Sequence, residues 1–164
     1  MKKLVLSALS VFVLAGCAQQ FVINSSESIA GKSFRSTGNK LAENITFSPE
    51  ALIRGKNVDF SFYVRIKGRC ESAFNKIREA DIIADSVVKT YKISLPAYIC
   101  DYDGTSTEDG RISVSESDFA EIVNAKSIEV KIRGNNSNKE YKDIDADFLP
   151  NIRKFYDTVA KGQK

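Results

Sequence analysis

The sequence predicts an α+β domain built on an antiparallel sheet, with a late β-hairpin, a C-terminal helix and one disulfide. Three observations lead there. Val58, Phe60, Phe62, Val64 and Ile66 alternate strictly with Asp59, Ser61, Tyr63, Arg65 and Lys67, the period of a half-buried strand. Ile128, Val130 and Ile132 alternate with Glu129, Lys131 and Arg133, and the turn Gly134–Asn135–Asn136–Ser137–Asn138 then leads into a shorter strand around Glu140 to Ile144. Phe148, Ile152, Phe155, Tyr156 and Val159 recur at helical spacing. Strands and helices are interspersed irregularly, which favours antiparallel pairing over βαβ units.

Taken in chain order, residues 18–32 are small and polar with little periodicity and read as a tether. Ile45 and Phe47 suggest a strand that Pro49 stops. The 58–67 strand is bounded by Gly55 and Gly68. Residues 71–88 place Ala73, Ile77, Ala80, Ala84 and Val87 on one helical face, but Ile82, Ile83 and Val88 blur the stripe, so the stretch is either one helix or a helix followed by a strand. Tyr91, Ile93, Leu95, Ala97 and Ile99 alternate again, and Pro96 on the polar phase points to an edge or a bulge. Phe119, Ile122 and Val123 follow Ser115 and Ser117, either of which can cap a short helix. Asp147 is the expected N-cap of the last helix, with Pro150 in its first turn. The domain is expected to span 33–164 as a single unit.

The N-terminus carries the most specific motif. Lys2 and Lys3 precede an uncharged run from Leu4 to Ala15 that ends in Leu14–Ala15–Gly16–Cys17. The run falls short of the roughly 20 apolar residues that span a bilayer, and its basic start fits a secretory signal. Residues 14–17 resemble the bacterial lipobox. The resemblance implies a signal peptide over 1–16, a diacylglyceryl group on the Cys17 thiol and an acylated new N-terminus. Ala18, where an Asp is associated with inner-membrane retention, implies export to the outer membrane with the domain facing the periplasm.

The precursor carries 24 basic and 21 acidic residues. Without Lys2 and Lys3 the balance is 22 against 21, so nothing favours nucleic acid or an acidic polymer as partner. Besides Cys17, the cysteines are Cys70 and Cys100, which an oxidising compartment is expected to bridge. There is no His, no G-x-S-x-G and no phosphate-binding glycine loop, so no motif for nucleophilic or general-base catalysis is present, and neither an enzyme nor a cofactor is expected.

Two features remain. Residues 105–116 read in their second half like an EF-hand loop, with Gly110, Ile112 and Glu116 at the expected positions. Thr105 and Thr107 stand where charged ligands belong, leaving Asp109 and Glu116, with Asp101 and Asp103 nearby. The plainer reading is a polar loop turning at Asp109–Gly110, and no metal site is expected. Tyr63, Arg65, Lys67 and Arg69 form an aromatic and basic strip on one strand face, a candidate protein-binding surface. The expected function is a non-enzymatic binding or assembly lipoprotein whose partner is another envelope protein. The alternatives are an exclusion or inhibitor lipoprotein that blocks an incoming phage, effector or hydrolase, and a cell-wall enzyme.

Overall fold

The computed structural model describes residues 20–163; the expected signal peptide and Cys17 lie outside that range. The described chain folds as β1 (Val22–Ser28), β2 (Gly31–Thr37), β3 (Lys40–Ala42), β4 (Ile45–Arg54), β5 (Asn57–Arg69), a 3-10 turn (Cys70–Ser72), β6 (Ile77–Ala84), β7 (Val87–Cys100), β8 (Thr105–Val114), α1 (Glu116–Asn124), β9 (Ile128–Gly134), β10 (Asn138–Tyr141) and α2 (Phe148–Gly162). The strands form one sheet in the order β1-β2-β4-β5-β8-β7-β6-β9-β10, with β3 beside β4. Its pairings are antiparallel, as expected. The domain is sheet-dominant, with two helices against ten strands among the described residues, rather than a balanced α+β fold.

The long strand β7 joins two wings. Its first part, Val87–Lys92, pairs with β6, and its second part, Ile93–Cys100, pairs with β8. The register shifts between Ser94 and Ala97, where Leu95 adopts a positive φ of 52°. Pro96 therefore occupies a bulge, beyond the end of the β6 ladder, where its missing N–H breaks no pairing.

One face of the sheet is covered. Phe60, Phe62, Val64, Ile112 and Val114 alternate onto it and are buried with Phe119 of α1 and Phe155 of α2. Phe119 is the centre: its ring stacks on Phe60 at 4.3 Å and on Phe62 at 5.3 Å, and meets Phe155 at 6.4 Å. Ser115 is the cap of α1, its side chain accepting from the Asp118 N–H at 3.1 Å.

Several expectations are corrected. Residues 22–28, read as tether, form β1, paired along its length with β2. Its side chains are mostly exposed, so a backbone ladder holds it and hydrophobic patterning gives no signal. Pro49 does not stop β4. On the outer side of β4, pairing with β2 ends at Glu50 and pairing with β3 begins at Thr46, so Pro49 falls in the gap. Residues 71–88 contain no α-helix. A register shift between Ile77 and Glu79 offsets the buried positions Ile77, Ala80 and Ile82, which mimics helical spacing. Asp147 makes no capping bond; the Asp145 carboxylate accepts from the Asp147 N–H instead.

Residues 105–114, read as loop or EF-hand half, form the central strand β8, paired on both sides. Extended backbone sets Asp109 and the residues around Glu116 on the order of 20 Å apart, so the two cannot share an ion. Among the described residues no group of three or more His, Cys, Asp or Glu is placed to hold a metal. Gly110 has a packing reason: a Cβ there would stand 2.2 Å from Ile93 Cγ2.

Candidate functional site on the open sheet face

The opposite face of β4, β5 and β8 carries no helix, and its side chains are the polar phase of the alternation. Register sets Glu50 beside Ser61, Tyr63 beside Arg111 and Arg65 beside Asp109. Each pair is a nearest neighbour across strands, close enough for charged groups to meet.

The predicted strip divides. Arg65 grips Asp109 with two parallel bonds, Nε to Oδ1 at 2.8 Å and Nη2 to Oδ2 at 3.2 Å. Its Nη2 also donates to the Tyr63 hydroxyl at 2.8 Å, and the guanidinium lies 5.4 Å from the Tyr63 ring centroid. Burial, and then the neighbouring Asp109 carboxylate, raise the Tyr63 pKa from its ordinary value. The hydrogen bonds to Asp109 hold Arg65 still more firmly in its charged form. Lys67 lies on the same face without an ion-pair partner among the described residues. Arg69 turns to the far end, where its Nη1 donates to the Asp103 carbonyl at 3.5 Å. The structure thus brings Tyr63, Arg65 and Asp109 together and leaves Lys67 and Arg69 apart from that cluster.

Sequence reasoning missed the neighbouring cluster. Glu50, its side chain 14% exposed, receives Arg111 Nη2 at 2.8 Å and lies 3.6 Å from Arg35 Nε. The Arg111 Nε is buried without a partner. These groups line a shallow groove of about 620 Å³ that continues to Ser113 and Glu116. A second recess of about 460 Å³ is bounded by Lys40, Ser48, Tyr63, Arg65 and Lys67. Period-two alternation would have placed Glu50 and Arg111 on this face had β4 and β8 been recognised as full-length strands.

On the far wing, Arg133 grips Asp81 with both terminal nitrogens and Glu79 with its Nε. The Arg133 guanidinium beside Asp81 lowers that carboxyl from its ordinary range. Glu108, 1% exposed, belongs to the covered face and is structural: it accepts from the Phe74 N–H at 2.6 Å and the Lys76 N–H at 2.9 Å, while burial raises its pKa. Cys70 and Cys100 are bridged, with Cα atoms 5.7 Å apart, and tie the ends of β5 and β7.

The open face carries fixed cations, carboxylates and hydroxyls. No family model, curated protein or solved structure matches the chain.

Proposed function

We infer that this chain is a lipoprotein of the bacterial outer membrane, held by acyl chains on Cys17, and that its domain binds another envelope protein without turning over a substrate. The reading of the anchor rests on the lipobox-like Leu14–Ala15–Gly16–Cys17. A cysteine with several chains binds a bilayer stably where a single chain does not.

The observation that carries the binding reading is the open face itself. Its arginines are fixed by cross-strand carboxylates before any partner arrives: Arg65 on Asp109 and Arg111 on Glu50. Such pairs in partial exposure add little stability. They do remove side-chain entropy in advance, which lowers the cost of binding. Tyr and Arg are also the types most enriched at energetic centres of interfaces.

The test uses a photo-crosslinking residue at Ser61 on the open face or at Lys154 on α2. Irradiated cells should give a discrete adduct from position 61 and none from position 154. Arg65→Glu with Arg69→Glu should abolish the adduct while labelled fatty acid still enters the protein. Cys17→Ser should block that labelling and leave the precursor unprocessed. Equal adducts from both faces, or an adduct indifferent to charge reversal, would remove the open face as the binding surface.

A further inference from the structure

The recess bounded by Lys40, Arg65 and Lys67 lies at a particular place in the fold. The pairing of Val22 with Thr37 brings the start of β1 beside the end of β2, and Thr37 and Gly38 line the recess. Phe21 and Ile23 already pack against the core. Only residues 18–20 therefore separate Cys17 from the packed domain, and at about 3.5 Å per residue they span at most about 14 Å. The β1–β2 and β4–β5 turns lie at the opposite end of the same strands.

The chemistry of the recess is anionic recognition. Lys40 and Lys67 make no ion pair among the described residues. Arg65 uses Nε and Nη2 within the chain, and its Nη1 makes no hydrogen bond there. Ser48, 6% exposed, adds a hydroxyl at the wall. Against the three cations stand Glu43 at the rim and Asp109, which is the partner of Arg65. The balance is a single positive charge, which matches the single negative charge of a phosphodiester. A volume of about 460 Å³ is within the range of small-ligand sites.

We propose that this recess binds the phosphodiester of a membrane-lipid headgroup, so that the anchored domain is docked on the bilayer in one orientation instead of swinging on its lipid. The proposal rests on the lipoprotein reading above. Docking through Lys40 and Lys67 leaves the Glu50–Arg111 end of the open face turned away from the membrane and available to a protein.

The experiment uses the mature protein purified from membranes and placed in nanodiscs that contain a headgroup-nitroxide lipid. Relaxation enhancement at the Lys40 and Lys67 amides should exceed that at Ala30 and Lys56 several-fold, and Lys40→Glu with Lys67→Glu should erase the difference. Soluble glycerophosphoglycerol should shift the same amides in the wild type and not in the variant. Dispersed amide spectra establish that the variant is folded; if it is not, Lys40→Gln with Lys67→Gln takes its place. Equal enhancement at both ends, with diacylglyceryl mass present on Cys17, overturns the docking alone. A soluble diester that shifts these amides while enhancement stays equal assigns the recess to a free anion and also overturns it. Absence of lipid mass on Cys17 overturns the anchor reading and the headgroup source together.

Discussion

On β5, Phe60, Phe62 and Val64 lie buried beneath the helices, while Ser61, Tyr63 and Arg65, each one residue removed, face outward and are held by charges. The covered face is fixed by area: aromatic rings meet at 4.3–6.4 Å around Phe119. The open face is fixed by direction: Arg65 and Arg133 each reach a carboxylate on the neighbouring strand, and Arg111 reaches past β5 to Glu50 on β4. Burial of apolar surface stabilises by roughly 25 cal/mol per Å², whereas a partly exposed ion pair contributes about 1 kcal/mol or less. The contrast teaches that the covered face makes the fold, while the open face sets where a few charges stand. A face of the second kind adds little to the stability of the fold.

The largest effect that would test this division is on the covered face. Phe119→Ala removes the ring at the centre of the aromatic cluster and should cost about 3–5 kcal/mol in denaturant unfolding. A loss under about 1 kcal/mol would mean that the helices contribute little and that the division is wrong. Next comes the bridge that belongs to neither face. Cys70→Ala with Cys100→Ala opens a covalent loop of about 30 residues and should lower stability by about 3–4 kcal/mol. The smallest effect concerns the open face. Asp81 has its folded pKa depressed by Arg133, so its contribution is present above the ordinary value of 3.8 and is lost as pH falls through the lower folded value. Asp81→Asn should therefore cost about 1 kcal/mol at pH 7, and the gap between variant and wild-type melting temperatures should close as pH falls below 4. A gap unchanged down to pH 2.5 would show that the Arg133 pair contributes nothing.

How much of this was legible depended on whether a strand kept its period. β5 kept it for ten residues and was read correctly, with the polar strip on its open phase. The late hairpin and the terminal helix were equally plain, although β10 spans Asn138–Tyr141, starting in the expected turn and ending before Ile144. β6 was lost because a bulge at its start inserted one residue between buried positions. β8 was lost because its buried phase contains Glu108 and Gly110, residue types that signal loop. Glu108 is buried to anchor the 74–76 backbone, and Gly110 is small to admit Ile93. β1 was lost because an edge strand with exposed side chains has no hydrophobic phase to betray it. The candidate site followed suit. Tyr63 and Arg65 were found from β5, whereas Glu50, Arg111 and Lys40 stood on elements whose extent or existence had been missed.

The bridge between Cys70 and Cys100 also bears on how quickly this sheet can assemble. Pairing of β5 with β8 begins at Arg69 and Thr105, which stand 36 positions apart along the chain (105 − 69). Through the two sulfurs the path shortens to about eight residues, because Cys70 follows Arg69 and a tight turn links Cys100 to Thr105. Closing a loop of eight instead of 36 residues saves about 1.3 kcal/mol of chain entropy. A long-range register in the centre of the sheet thereby becomes an almost local one, and rates of folding rise as contacts become more local. An oxidised chain should zip β8 onto β5 nearly as a hairpin closes, roughly ten times sooner than a reduced one.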